Sequence, residues 1–189
     1  MSPSRPVSVL IIAAEGADPS ATLYLTTALG IGTAPPFKTE VLTPSRVTPA
    51  SFEKRSLVIL KDASALSTQA DEALQRFVKQ GGGLFISLGD RLPWNSDEPP
   101  LLPGKASPEV LDHSHPIFDE FKDPRNGNFA TVRFFKYRGL TPGPTDKVLA
   151  RFDDGAAAMV ERAVGSGRVI AFASTMDKSW NDFPTKHLF

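Results

Sequence analysis

The fold is decided by residues 67–88, whose sequence is STQADEALQRFVKQGGGLFISL. Its first part has apolar residues at helical spacing, so we predict a helix from about Ser67 to Gln80. Gly81 to Gly83 end this helix, and the apolar run Leu84–Leu88 that follows is typical of a strand buried on both faces of a parallel sheet. With the apolar run Leu57–Leu60 before it, the stretch predicts a strand–helix–strand unit with a right-handed crossover.

The segments on either side extend this pattern. Upstream, Val7–Ala14 is another continuous apolar run, a helix starts near Asp18-Pro19, and Phe37–Leu42 alternates apolar and polar residues. We expect Val7–Ala14 to lie beside Leu57–Leu60 and Leu84–Leu88 as parallel central strands. Downstream, glycine turns separate strand-like segments, which are Thr131–Tyr137, Lys147–Phe152, Ala157–Ala163 and Arg168–Ser174.

The fold class that follows is α/β, in a single domain over residues 1–189. We predict a flavodoxin-like three-layer sandwich with a mostly parallel sheet and a C-terminal antiparallel hairpin. Residues 89–128, here called the Pro-rich segment, differ in composition from the rest of the chain because they contain seven prolines. We expect a long excursion with at most short helices, and excursions of this length are usually functional or interaction surfaces.

The composition excludes several classes of function. Lys plus Arg and Asp plus Glu both number 21, so the formal net charge is zero, and no basic run suggests a nucleic-acid partner. No cysteine is present, which removes disulfides, thiolate metal sites and cysteine nucleophiles. The longest apolar run, Val7–Ala14, is too short to span a membrane. No cofactor is expected.

Three segments resemble the class I glutamine amidotransferase-like superfamily: Leu57–Leu60, residues 73–86 and the closing hairpin at residues 157–174. More narrowly, that hairpin and the tail after it are similar to a subgroup found in large bacterial membrane proteins, which carry a BatA-type membrane segment and often a von Willebrand factor A domain. The tail residues that carry this similarity are Asp177, Trp180, Asn181, Asp182 and Phe183. The resemblance implies a soluble domain tethered to a membrane on its extracytoplasmic side, or alternatively a cytoplasmic one.

The end of the chain favours a domain excised from a longer protein. Asn181 or Asp182 is expected to cap a helix with Pro184 in its first turn. The sequence stops soon afterwards, at Leu188 and Phe189, whose side chains would extend the apolar face of that helix.

The resemblance also shows what this chain lacks. Active members of the superfamily have a nucleophilic cysteine on a sharp turn after the strand that here ends at Leu88, and a histidine and a glutamate after the closing strand. This chain has Ser87-Leu88-Gly89-Asp90 at the first place and Ala173-Ser174-Thr175 at the second. A nucleophile without a base to accept its proton is a poor catalyst. The resemblance therefore favours a domain without the catalysis of the family.

Two other candidate sites have simpler structural explanations. Ser87 is the best remaining nucleophile, but a small hydroxyl in a buried strand is the more frequent case. His113 and His115 beside Asp112 could bind zinc or iron, but no third ligand is marked, and a histidine before proline commonly starts a turn. We therefore predict no catalytic residue and no metal site.

The candidate binding residues follow two of the predicted strands at their carboxyl ends. Ligands of open α/β sheets bind there, so we expect the two loops to form one surface for a ligand or partner. The alternative is that each tryptophan anchors its loop to the core. Seven residues make up this candidate surface: Asp90, Trp94, Asn95, Asp177, Trp180, Asn181 and Asp182.

The leading functional hypothesis is a non-catalytic binding or scaffolding domain of a larger bacterial membrane-associated protein. Its partner would be another protein or other domains of the same chain, with no nucleic acid, and with the membrane reached only through flanking segments. The alternative hypothesis is a hydrolase or a sugar-binding enzyme relative whose site is built by the Pro-rich segment.

Overall fold

The computed structural model describes residues 6–16, 19–32, 35–94, 101–123, 125 and 128–186. The helices and strands of these residues are, in chain order, β1 (Val7–Ala13), α1 (Pro19–Leu29), β2 (Phe37–Leu42), β3 (Leu57–Lys61), α2 (Thr68–Lys79), β4 (Gly83–Ser87), β5 (Leu101–Ala106), β6 (Pro108–Leu111), β7 (Phe134–Arg138), β8 (Lys147–Phe152), β9 (Ala157–Val164) and β10 (Gly167–Phe172).

Eight strands form one mixed sheet in the order β2-β1-β3-β4-β10-β9-β8-β6. Strands β2, β1, β3, β4 and β10 are mutually parallel, and we call them with their helices the parallel half. Strands β9, β8 and β6 continue the sheet antiparallel, and we call them with the segments that cover them the antiparallel half. The predicted parallel arrangement of β1, β3 and β4 is confirmed. The fold is therefore α/β, with an antiparallel part that is wider than the single hairpin expected from the sequence.

The central strands are continuous apolar runs because a helix covers each face of the sheet. Along β1, Leu10 and Ile12 pack in the core cluster that contains the apolar residues of α2. The neighbouring residues Val9 and Ile11 pack in a second cluster with Leu25 of α1. Successive side chains of a strand point to opposite faces, so α1 and α2 lie on opposite sides of the sheet.

Helix α2 matches its prediction closely, because both of its ends are marked by local chemistry. The Ser67 hydroxyl accepts a hydrogen bond from the Ala70 backbone N–H at 3.3 Å, which caps the first turn. At the other end, Gly81 has a φ of +111° and donates its N–H to the Val78 carbonyl at 2.9 Å. A residue with a side chain is strained at this φ, which is why a glycine follows the helix.

The antiparallel half of the sheet has an aromatic core. The buried rings here include Phe134, Phe152 and Phe172, and the ring centroids of Phe134 and Phe152 lie 5.1 Å apart in an edge-to-face arrangement. No α-helix lies over this half among the described residues. Strands and short 3₁₀ turns from the Pro-rich segment and the residues after it enclose the aromatic core instead.

The Pro-rich segment contains more regular structure than the sequence predicted. Its first strand, β5, pairs antiparallel with β7 in a separate two-stranded sheet, and β6 pairs with β8 at the edge of the main sheet. A 3₁₀ helix follows over Pro116–Lys122. The expectation of at most short helices was therefore wrong, because edge strands tolerate the prolines that made the segment look irregular.

The end of the described chain forms a 3₁₀ turn where a helix was predicted. This turn spans Phe183–Thr185 and ends at Lys186, whose backbone is extended. The Asn181 side-chain oxygen accepts a hydrogen bond from the Phe183 N–H at 3.1 Å. Leu188 and Phe189 lie outside the described residues.

Candidate functional site

The carboxyl ends of the parallel strands meet along one edge of the sheet. Strand β2 lies on one side of β1, whereas β3 and β4 lie on the other, so the order in which strands are added to the sheet reverses between β1 and β3. A crevice forms at such a reversal, and it is where open α/β sheets bind their ligands. The residues that directly follow β3 are therefore central to the site.

A buried ion pair occupies this edge. The Lys61 ammonium lies 2.6 Å from the Asp177 carboxylate, and Lys61 is only 3% exposed. Asp177 also accepts hydrogen bonds from the Ser179 hydroxyl and from the Ser179 N–H, the latter at 2.9 Å. Burial raises the pKa of Asp177, but the bonds from Lys61 and Ser179 outweigh it and hold the pKa below its usual value.

Asp62 is the next residue, and its backbone is unusual. Its φ is +46°, a left-handed conformation that few residues with a side chain adopt. One carboxylate oxygen accepts the Arg91 N–H at 2.7 Å, and the other lies 3.2 Å from the Arg91 guanidinium. Burial raises the pKa of Asp62, and the contacts with Arg91 offset only part of that rise.

Gly89 allows the Asp62 side chain to take this position. A Cβ atom at residue 89 would lie 2.4 Å from an Asp62 carboxylate oxygen, far inside van der Waals contact. The backbone around Gly89 is held in turn by Arg138, which is buried and donates from Nε to the Gly89 carbonyl at 3.0 Å. Strand β7 thus reaches across to fix the loop that follows β4.

Hydroxyl and amide groups complete the buried part of the edge. The Ser87 hydroxyl donates to the Ser174 carbonyl at 2.9 Å. The Asn181 amide donates to the Ser174 hydroxyl at 3.1 Å and to the Thr175 carbonyl at 2.7 Å. Because the Ser87 proton is directed at a backbone carbonyl, this hydroxyl is arranged as a structural donor rather than as a nucleophile beside a base.

The outer part of the edge carries exposed charge and an aromatic ring. Glu15, which follows β1, accepts the Ser45 N–H at 3.1 Å. Lys178, which follows β10, places its ammonium 5.3 Å from the centre of the Tyr24 ring on α1. This contact joins the loop after β10 to the helix after β1.

The structure brings three of the seven sequence-predicted residues together in the buried network: Asp177, Trp180 and Asn181. Trp180 is 1% exposed, and the cations of Lys136 and Arg138 lie 5.2 Å and 5.8 Å from the centre of its ring. Within the described chain its indole nitrogen has no hydrogen-bond partner. In this structure Trp180 therefore packs as a core residue.

The other four predicted residues are more dispersed. Asp90 is exposed, and Trp94 is half-buried against the core cluster of α2. Asp182 accepts the Arg133 N–H at 2.7 Å, on the side of β7. Asn95 lies outside the described residues. The role of the seven residues in binding stays a prediction.

His113 and His115, the two histidines considered as metal ligands, each contact neighbouring residues. The His115 side chain accepts the Ile117 N–H at 3.3 Å through Nδ1 and lies 3.4 Å from the Glu161 carboxylate through Nε2. The His113 ring faces Phe118, with 6.4 Å between ring centres. Across the described residues, no group of three metal-ligating side chains comes together.

Sequence reasoning missed Lys61, Asp62 and Arg91. A signal was present, because Lys61-Asp62 directly follows the apolar run of β3 just as Asp90 follows that of β4. The rule on carboxyl ends applies equally to β3, and it would have selected Asp62. Arg138 carried no such signal, because the pairing of β7 that brings it to this edge is not visible in the sequence.

The comparison with solved structures identifies the same fold in several proteins. The Salmonella typhimurium cytoplasmic protein STM3548 superposes with a TM-score of 0.71 at 14% identity, over 95% of each chain. A putative ThuA-like protein from Bacteroides uniformis gives a TM-score of 0.59 at 14% identity, over 92% of this chain and 85% of that one. The β-galactosidase of Rahnella sp. R3 gives 0.60 at 13% identity, over 97% of this chain but only 30% of the enzyme.

No protein-family model and no curated protein matches the chain. At these identities the structural likeness concerns the fold alone. It nevertheless corrects the sequence analysis, because the neighbours that match over most of their length are a cytoplasmic protein and a ThuA-like protein. The assignment to the BatA and von Willebrand factor A group of glutamine amidotransferase-like domains was wrong, and so was the hypothesis of a membrane-associated scaffold.

A separate observation concerns the helices. Among the residues that the structure describes, none forms a helix long and apolar enough to cross a membrane.

Proposed function

We propose that this protein is a cytoplasmic carbohydrate-binding domain, related in fold to domains of carbohydrate-active enzymes. Its ligand would lie in the crevice at the carboxyl edge of the sheet. The observation that carries the proposal is Asp62, which combines a left-handed backbone, a raised pKa and contacts with Arg91 at the end of a central strand. Backbone strain of this kind concentrates at functional sites.

The topology supports this location. The parallel strands have the order β2-β1-β3-β4-β10, which is the order of the flavodoxin-like arrangement, and its ligands bind at the reversal between β1 and β3. We therefore extend the proposal to a flavodoxin-like fold for the parallel half. Asp62 follows β3 directly, at this reversal.

The chemistry of the edge suits a polyhydroxylated ligand. A sugar hydroxyl both donates and accepts hydrogen bonds, so its site needs acceptors and donors side by side. The Asp62 carboxylate and the Arg91 guanidinium supply the two kinds, and Arg91 is about half exposed. The adjoining Lys61–Asp177 pair is buried, and its two charges are already satisfied by each other.

Two further observations favour a sugar over other small polar molecules. Solved structures with this fold include a domain-sized part of an exo-β-1,4-mannosidase and of β-galactosidases. Arg91 belongs to the Pro-rich segment, so this segment contributes to the site, as the alternative hypothesis from the sequence requires. The cytoplasmic location rests on the neighbour from Salmonella that matches over 95% of its length.

The test is a binding screen with defined sugars. Saturation-transfer difference NMR would be recorded with galactose, mannose, glucose and lactose, followed by calorimetry on any sugar that binds. We expect at least one sugar to bind, and Asp62→Asn to weaken its affinity by about tenfold, which corresponds to about 1.4 kcal/mol. Arg91→Leu should weaken it similarly, because it removes the side-chain donor next to the same carboxylate.

The matched control is Asp119→Asn. Asp119 is an exposed carboxylate that also pairs with a cation, Lys122 at 2.6 Å, but it lies in the 3₁₀ helix of the Pro-rich segment. Its replacement should leave sugar affinity unchanged. Absence of binding by all four sugars, or equal affinity in Asp62→Asn and the wild type, would contradict the proposal.

A further inference from the structure

The antiparallel half of the molecule contains a partly open apolar pocket of about 190 Å³, which we call the chamber. One wall is the face of the sheet, with residues such as Phe85, Ala158 and Phe172. The opposite wall comes from the two 3₁₀ turns at residues 116–122 and 129–131, with Phe118, Phe121 and Phe129 as the largest side chains. Every described residue that lines the chamber is apolar.

The chamber lies on the same face of the sheet as α1, because Ile59 of β3 and Phe85 of β4 are register partners and both contact the α1 cluster. Helix α1 covers β1 and β3, and the chamber occupies the place beside it, over β4 and β10. The void is thus the space that a second helix on this face would fill. It is distinct from the carboxyl-edge site, whose ion pair and hydroxyl groups do not line it.

The lining determines which molecules the chamber can hold. A buried water needs two to four polar partners, and this lining offers none. An engineered apolar cavity of about 150 Å³ in another protein stays dry and binds benzene. A chamber of about 190 Å³ is therefore large enough for an aromatic ring with a small substituent or a second fused ring.

The aromatic side chains favour an aromatic guest. Phe118 and Phe129 meet edge to face at 5.9 Å between centres, and Phe121 and Phe129 do so at 4.7 Å. A further ring can join such a set with its edge against a face, which adds to the gain from burial alone. A guest would also restore the packing contacts that the lining lacks around an empty space.

An entrance is present at Ile117. Among the described lining residues Ile117 is the exposed one, with 37% of its surface accessible. It lies in the 3₁₀ wall, whose short turns have fewer backbone hydrogen bonds to hold them than the strands of the opposite wall. A guest can therefore enter by displacement of one side chain.

From this geometry we infer that the protein has a second binding site, in this chamber, for a small uncharged aromatic molecule of one or two rings. The inference does not depend on the proposed sugar site, since the two share no residue. Occupation of the chamber would stabilise the half of the molecule that lacks helical cover, and it would couple ligand binding to the conformation of the Pro-rich segment.

The first test uses methionine methyl groups as reporters. The chain has three methionines, and two of them, Met159 and Met176, line the chamber. The protein labelled with ¹³C at methionine methyls would be titrated with toluene and with indole. We expect the signals of Met159 and Met176 to shift in a saturable way while that of Met1 stays fixed. Absence of any saturable shift with both compounds would overturn the inference.

A second test fills the chamber from within. Ala158→Leu places a larger side chain in the lining, and Ala130→Leu is the control, because Ala130 is exposed on the same turn as Phe129. Indole at millimolar concentration should raise the Tm of the wild type and of Ala130→Leu by about 2 °C or more, and that of Ala158→Leu much less. An equal rise in all three proteins would mean that indole binds elsewhere. If Ala158→Leu fails to fold, the methyl titration of the wild type decides alone.

Discussion

The two halves of this molecule solve the same problem of burial in different ways. The parallel half buries an aliphatic core between a sheet and a helix on each face, and the antiparallel half buries an aromatic core under short turns and added strands. A helix packs a continuous row of side chains against the face of a sheet, whereas separate turns contact the sheet only at a few positions. The apolar chamber lies in the half that such turns cover, which is the expected consequence of that difference.

The halves also differ in how charge is used. At the carboxyl edge of the parallel half, Lys61 and Asp177 are buried together and join the end of β3 to the loop after β10. The ion pair of Lys122 with Asp119, in a 3₁₀ turn, is half exposed. A buried pair loses much when one partner is removed, whereas an exposed pair loses little. Substitutions of buried and exposed side chains measure this difference.

The largest effect is expected from Trp180→Ala. Trp180 is fully buried where the loop after β10 meets β7, so its removal should lower the free energy of unfolding by about 4 kcal/mol. Trp94→Ala is the matched variant in the loop after β4, and it should cost less than about 2 kcal/mol because Trp94 is half-buried. Urea denaturation of both variants gives the comparison. Equal costs would mean that the two indoles anchor their loops alike.

Lys61→Met should have the next largest effect. It keeps the length of the side chain but leaves the Asp177 carboxylate buried with bonds from Ser179 alone, at an expected cost of about 3 kcal/mol. Lys122→Met removes the same charge from the exposed pair with Asp119 and should cost less than about 1 kcal/mol. The midpoints of urea denaturation at pH 7 measure both. A loss below about 1 kcal/mol in Lys61→Met would show that this pair is no more stabilising than a surface pair.

The smallest effect is expected in the pH dependence of the free energy of unfolding, to which the carboxyls of Asp177 and Asp62 contribute with opposite signs. The pKa of Asp177 is below its ordinary value of 3.8 in the folded state. The stability that this carboxyl contributes is therefore present above pH 3.8 and is lost as the pH falls through the lowered folded pKa. The pKa of Asp62 is above 3.8, so the folded state holds its proton more tightly and loses stability as the pH rises from 3.8 through the folded pKa. A folded pKa that differs from the unfolded pKa by one pH unit changes the free energy of unfolding by about 1.4 kcal/mol.

The measurement is the free energy of unfolding as a function of pH, from strongly acidic to neutral solution. Asp177→Asn should flatten the curve below pH 3.8 relative to the wild type, and Asp62→Asn should remove a decline above pH 3.8. Both variants share the remaining acidic groups with the wild type, so these cancel in the difference. A change of the same sign in both variants would be incompatible with the opposite directions of the two pKa changes.

The sequence predicted those parts of the fold that depend on local pattern. The apolar runs of β1, β3 and β4 require cover on both faces, which makes them central parallel strands. The ends of α2 are marked by Ser67 and by the glycines after Lys79, so its bounds follow from capping chemistry. The parallel half could be predicted for this reason, since each of its elements carries its own signal.

The rest depended on contacts between distant residues. Strands β5 and β6 are short, contain prolines and gain their stability from the partners β7 and β8, so the pattern of the Pro-rich segment alone does not reveal them. The resemblance to a membrane-protein family failed for a related reason. A strand–helix–strand unit with a closing hairpin is common to many α/β proteins, so it indicates a fold more strongly than a family.

Residue type and periodicity alone were enough to predict the fold class, the central strands and the absence of a cysteine nucleophile, and they directed attention to the carboxyl edge of the sheet. The residues that meet at the candidate site became apparent from the three-dimensional structure. Lys61 and Asp177 are separated by more than half of the chain, and their contact, the left-handed turn at Asp62 and the chamber under the 3₁₀ turns exist only after the sheet is assembled. Pairing over such distances is set by the packing of the whole molecule, which no local pattern encodes.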